Sequence, residues 1–113
     1  MKRLASLLVL VGLCAMPAFA ASATFNNVSV VDVKCSQKAA AAPDSHTRTC
    51  ALACAKSGYG ILTNDHQFLK FDAAGNAKTL AALKASNEKD HLRVNVTGDV
   101  QGNTLKVASI HLQ

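Results

Sequence analysis

The residues with the most chemistry per unit length are Cys35, His46, Cys50 and Cys54, which fall in one short stretch of the chain. Thiols and an imidazole at such spacing can do three things: close a disulfide, hold a metal ion, or exchange electrons. Cys50 and Cys54 stand four residues apart, so on a helix they share a face. A bridge between them would force disulfide geometry onto continuous helix and strain it. The workable bridges are Cys35–Cys50 and Cys35–Cys54, and either ties the end of a first strand to a following helix. Closing a loop of about 15–20 residues contributes roughly 3 kcal/mol in the chain-entropy account. The metal reading uses all four residues as a Cys3His set, a closed tetrahedral arrangement that takes Zn²⁺, while soft thiolates also suit Cu⁺. It requires His46 to lie off the helix. Eight residues of helix would separate His46 from Cys54 by about 12 Å. The redox reading is the weakest, because Cys50 and Cys54 form C-x3-C and not C-x-x-C.

The other polar residues add no second site. His66 falls in a turn, and His91 and His111 flank strands, positions of ordinary solvated or half-buried imidazoles. Asp32 has no carboxylate partner nearby in sequence and reads as a strand-face or turn residue. No elbow motif presents a serine nucleophile. With no acid, base and nucleophile set, the expectation is a non-enzymatic protein. Tyr59, Phe68 and Phe71 are read as core and not as a base-stacking platform.

The elements that position these residues must come from a small domain. The chain has 113 residues, half of them hydrophobic, with 4% aromatics and no Trp. Residues 1–20 read as a secretory signal peptide: Lys2-Arg3, an apolar run from Leu4 to Met16, then Ala18-Phe19-Ala20. Cleavage is expected after Ala20, with a second site at Ala21-Ser22-Ala23. The apolar run is shorter than the roughly 20 residues of a membrane span, and no later segment would cross a bilayer. The expected location is the bacterial periplasm or the medium. Removing Lys2 and Arg3 leaves ten basic and seven acidic residues, a scattered +3 that argues for solubility and against nucleic acid. It also removes Cys14, leaving three cysteines, so one thiol stays outside any intramolecular bridge. A domain of residues 21–113 is small enough to need a staple.

Phe25 to Lys34 is a Val-rich strand whose apolar phase slips at Val30-Val31, suggesting a bulge there. Residues 36–46 read as loop, and Thr47 to Ser57 as a short helix closed by Gly58. Ile61-Leu62 and Phe68–Phe71 flank an Asn-Asp turn as a hairpin. A second helix runs from about Asn76 to Ala85, with Asn76 as its cap and Leu80 and Leu83 turned to one side. Leu92–Val96 and Leu105–Leu112 form a final hairpin with a bulge near Ala108-Ser109. The expected fold is mainly β with two short helices: a five-stranded OB-like barrel. Residues 35–58 form a cysteine-bearing loop-helix insertion between strands 1 and 2.

The stretch Asp32-Val33-Lys34-Cys35, with His46 and Cys50-Ala51-Leu52-Ala53-Cys54-Ala55-Lys56-Ser57-Gly58, resembles a family of small secreted bacterial proteins. The ending Arg93-Val94-Asn95-Val96-Thr97-Gly98 shares in the resemblance. It implies an OB-like fold and export, and brings no activity or ligand. The expected function is a binding module for a protein or small-molecule ligand, steadied by its cysteines. The alternative is a metal-binding protein using Cys35, His46, Cys50 and Cys54.

Overall fold

The computed structural model describes residues 21–113. The expected signal peptide at residues 1–20 lies outside the described residues. Five strands, β1 (Ala21–Asp32), β2 (Tyr59–Leu62), β3 (Phe68–Phe71), β4 (Arg93–Gln101) and β5 (Thr104–Leu112), close a barrel in the order β1-β2-β3-β5-β4. All neighbours are antiparallel except β3 and β5, which run parallel through Lys70–Thr104 and Phe71–Leu105. With one helix between β3 and β4, this is the OB-like plan the sequence suggests.

Alternating residues of β4 and β5 fill the interior: Val94, Val96, Leu105 and Val107 join Val28, Val30, Ile61, Leu69 and Phe71 in one buried cluster. The helix α3 (Ala73–Ala85) closes one end, with Leu83 fully buried and Leu80 packed against the cluster. The helix starts earlier than expected because Asp72, not Asn76, caps it: Asp72 Oδ1 accepts from the N–H of Gly75 at 3.0 Å and of Val107 at 3.1 Å. Gly75 is required where α3 lies on β5, since a Cβ there would stand 2.5 Å from Val107 Cγ2. Asn76 instead turns its amide oxygen to the N–H of Tyr59, 2.8 Å away.

The bulge in β1 is displaced from the expected position. Register against β4 shifts between Phe25 and Val28, where Asn27 takes a positive φ of 53°. The phase slip at Val30-Val31 has another cause. Val28 and Val30 face the barrel interior, whereas Val31 packs on the opposite side with Ala39 and Leu62. Both faces of β1 are covered there, so alternation disappears. The expected bulge in β5 is present: Thr97 pairs with Ser109 and Gly98 with Val107, leaving Ala108 as the extra residue.

The insertion between β1 and β2 supplies that cover. A 3-10 turn (Val33–Cys35) leads into the one-turn helix α1 (Ser36–Ala39), a second 3-10 turn (Pro43–Ser45), the helix α2 (Arg48–Ala53) and a third 3-10 turn (Ala55–Ser57). The expected loop at 36–46 is thus partly helical. The expected helix to Ser57 stops at Ala53 and finishes in 3-10 form, with Gly58 at φ 84° turning the chain into β2. Among the described residues, no helix is long and apolar enough to cross a membrane.

Candidate metal centre

Asp32 is the last residue of β1 and is fully buried. Its Oδ2 accepts from the N–H of Cys35 at 3.0 Å, capping the 3-10 turn that carries Cys35 out of the strand. The Asp-x-x-Cys spacing is that of an N-cap and the donor it satisfies. On the other side, Thr47 Oγ1 accepts from the N–H of Cys50 at 3.1 Å and starts α2 at Arg48. His46 therefore lies off the helix, in extended conformation. Cys54 sits at the C-terminal end of α2, and Ser57 ties it to the first turn. Ser57 Oγ donates to the Cys54 carbonyl at 2.8 Å and accepts from the N–H of Lys34 at 3.2 Å.

These local structures bring one donor atom each from Asp32, Cys35 and Cys54 within 4.8 Å of one another. His46 adjoins the group: its Nε2 lies 2.7 Å from Asp32 Oδ1. The contact has ion-pair distance but not hydrogen-bond direction, and both buried atoms lack a hydrogen-bond partner among the described residues. The short distance governs, because two polar atoms so close in a buried site interact strongly whatever the angle.

The insertion is anchored so that these positions hold. Arg93 of β4 forks onto Asp44, Nε to Oδ1 at 3.0 Å and Nη2 to Oδ2 at 2.9 Å, and its Nη1 donates to the Asn27 carbonyl at 2.9 Å. Arg48 Nε donates to the Leu83 carbonyl at 2.6 Å, locking α2 onto the end of α3. Tyr59, 1% exposed, donates its hydroxyl to the Ala51 carbonyl at 2.8 Å and joins α2 to the barrel core.

The electrostatics follow from this packing. Partial burial pushes the Cys35 thiol up in pKa, and Asp32 and Cys54 push the same way. A raised pKa keeps Cys35 a thiol at neutral pH, unlike an activated nucleophile. Burial likewise raises the Tyr59 phenol, with smaller contributions from Asp32 and Cys54. The Arg93 guanidinium hydrogen-bonded to Asp44 holds that carboxyl below its ordinary value.

Of the four residues read from sequence, Cys35 and Cys54 come together, and His46 reaches the group through Asp32. Cys50 is exposed on α2 and stands outside the group. Asp32, read from sequence as a strand-face or turn residue, caps the 3-10 turn and contributes a donor atom to the group, and nothing in the sequence marked it as a donor. His66, His91 and His111 are exposed, and Tyr59 and Phe71 are core. A cleft of about 270 Å³ opens beside the group, lined by Cys35, Lys38, Ser45, His46, Thr47 and Cys50 among others. Comparison with protein-family models, curated proteins and solved structures finds no match.

Proposed function

We propose that the chain is an exported, non-enzymatic binding protein whose ligand is a thiophilic metal ion, Zn²⁺ foremost. Asp32, Cys35 and Cys54 hold the ion and His46 positions Asp32. The observation that carries this reading is the convergence of one donor atom each from Asp32, Cys35 and Cys54 within 4.8 Å of one another. In a tetrahedral site with Zn–S bonds of about 2.3 Å, neighbouring sulfurs stand about 3.8 Å apart. Small side-chain rotations therefore suffice to close the group on an ion. The carboxylate donor favours Zn²⁺ over Cu⁺, which prefers an all-sulfur or imidazole set. Two light-atom ligands on one zinc stand about 3.3 Å apart, and His46 Nε2 is nearer than that to Asp32 Oδ1, at 2.7 Å. His46 is thus placed to orient the carboxylate, the common role of a group behind a metal ligand. The signal-like N-terminus and the resemblance to secreted bacterial proteins support export.

A second reading is favoured by the same proximity of the two sulfurs: a Cys35–Cys54 disulfide that staples the insertion to the barrel, leaving Cys50 as the single thiol. The barrel would then serve a protein or small-molecule ligand, a role that fold likeness alone supports. The two readings use the same sulfurs and exclude each other in any one molecule. Metal analysis with thiol counting on protein purified from an exporting host separates them. The metal reading expects about one zinc per chain, released by acid as the ligands protonate, and three thiols after denaturation. One thiol and no metal would overturn it in favour of the bridge.

A further inference from the structure

We propose that Cys35 and Cys54 form a redox gate on the metal site: a low-molecular-weight disulfide entering through the cleft joins the two sulfurs and expels the ion. This rests on the metal-site reading above, with the reduced, metal-loaded protein as the resting state and the Cys35–Cys54 bridge as the released one. The two sulfurs and one Asp32 oxygen lie within 4.8 Å of one another. Ser57 ties the backbones that carry them: its Oγ donates to the Cys54 carbonyl at 2.8 Å and accepts from the N–H of Lys34, the neighbour of Cys35, at 3.2 Å. Cys35 ends the first 3-10 turn and Cys54 is the C-cap of α2. A bridge between them therefore joins two chain turns and does not force disulfide geometry onto continuous helix. Cys50 lies within α2, and its sulfur is outside the group.

The pair is open to a small reagent. Cys35 and Cys54 are both partly exposed, and Cys35 lines the cleft of about 270 Å³. A metal-bound cysteine is a thiolate, the form that attacks a disulfide. In the first step the Cys35 sulfur leaves the metal and bonds to one sulfur of the incoming disulfide, whose S–S bond breaks to release one thiolate. In the second, the Cys54 sulfur leaves the metal and attacks the Cys35 sulfur, and the mixed S–S bond breaks to release the other thiolate. Two electrons pass from the cysteine pair to the incoming disulfide, which is reduced to two thiols with two protons from solvent. Zinc leaves as Zn²⁺, neither oxidised nor reduced. Asp32 holds the N–H of Cys35, but one carboxylate cannot by itself replace the two lost ligands of a four-coordinate ion.

The test exposes the zinc-loaded protein, wild type and Cys50→Ser, to oxidised glutathione. Released zinc is followed by the colour of pyridylazoresorcinol, and the cysteines are mapped by alkylation and mass spectrometry of peptides. In Cys50→Ser, zinc release is expected to run in step with the loss of about two thiols per chain, at the wild-type rate, and to yield a peptide pair linked Cys35 to Cys54. Dithiothreitol with fresh zinc should restore the loaded state. With both Cys50 and Cys54 replaced by Ser, the glutathione adduct on Cys35 should accumulate unresolved. Zinc retained under excess oxidant would overturn the gate and leave the metal site standing. So would release with glutathione adducts and no linked pair in Cys50→Ser, or a wild-type bridge that includes Cys50. If the reduced wild type takes no zinc, the metal reading falls and the gate with it.

Discussion

His46 Nε2 stands 2.7 Å from Asp32 Oδ1 in a site from which solvent is almost excluded, with side-chain exposures of 7% and 0%. The two residues are fourteen positions apart in sequence, and the path of the insertion brings them together. Asp32 works in two directions, holding the N–H of Cys35 with one oxygen and facing His46 with the other.

Asp32→Asn keeps an oxygen to cap Cys35 and removes the charge. We expect zinc affinity to fall about tenfold or more, measured by chelator competition. Asp32→Ala also removes the cap, and denaturant unfolding should show a loss of about 0.5–2 kcal/mol from that source alone. Unchanged affinity in the Asn variant would remove Asp32 from the ligand set.

Leu83 fills the end of the barrel, fully buried, while Leu80 is only partly so. Leu83→Ala should destabilise by about 2–5 kcal/mol and Leu80→Ala by less, read from urea midpoints at constant slope. Equal effects would mean that the helix presents a different face to the barrel.

The Arg93–Asp44 fork is roughly a third exposed on both sides, with side-chain exposures of 35% and 38%. Its coupling in a double-mutant cycle should therefore be at most about 1 kcal/mol. Asp44 is held below its ordinary carboxyl value by Arg93. Its contribution is thus present above the unfolded-state pKa near 4 and is lost as pH falls through the lower folded value. The stability gap between wild type and Asp44→Asn should narrow from pH 7 to pH 3. A gap that widened on acidification would contradict the assignment.

Export predicts a new N-terminus at Ala21, or at Thr24 if the second cleavage site is used. Intact-mass measurement of protein from the periplasmic fraction checks it. Full-length protein there, still beginning at Met1, would be the contrary result.

Much of the fold could be read from sequence because its signals are local. The alternation in Leu92–Val96 and Leu105–Val107 and the phase change at Ala108-Ser109 each report a strand or bulge without help from distant residues. Val30-Val31 misled because Ala39 and Leu62 cover the outer face of β1, a tertiary fact with no local trace. Asn76 misled as a cap because Asp72 satisfies both Gly75 and Val107. The cysteines announced a site by type and spacing. Asp32 did not, since a buried carboxylate and a strand-end carboxylate look alike in sequence. Cys50, equal to Cys54 on paper, separates from it because it is exposed and its sulfur lies outside the group of donor atoms within 4.8 Å of one another.

The most direct measurement is Co²⁺ substitution in reduced protein, following the thiolate-to-cobalt charge-transfer absorption in the near ultraviolet. The account predicts saturation at about one Co²⁺ per chain, displacement by Zn²⁺, loss or strong weakening of the band in both Cys35→Ser and Cys54→Ser, and its retention in Cys50→Ser. No band with all three thiols reduced, or a band that survives Cys35→Ser unchanged, would contradict a metal centre built on Asp32, Cys35 and Cys54.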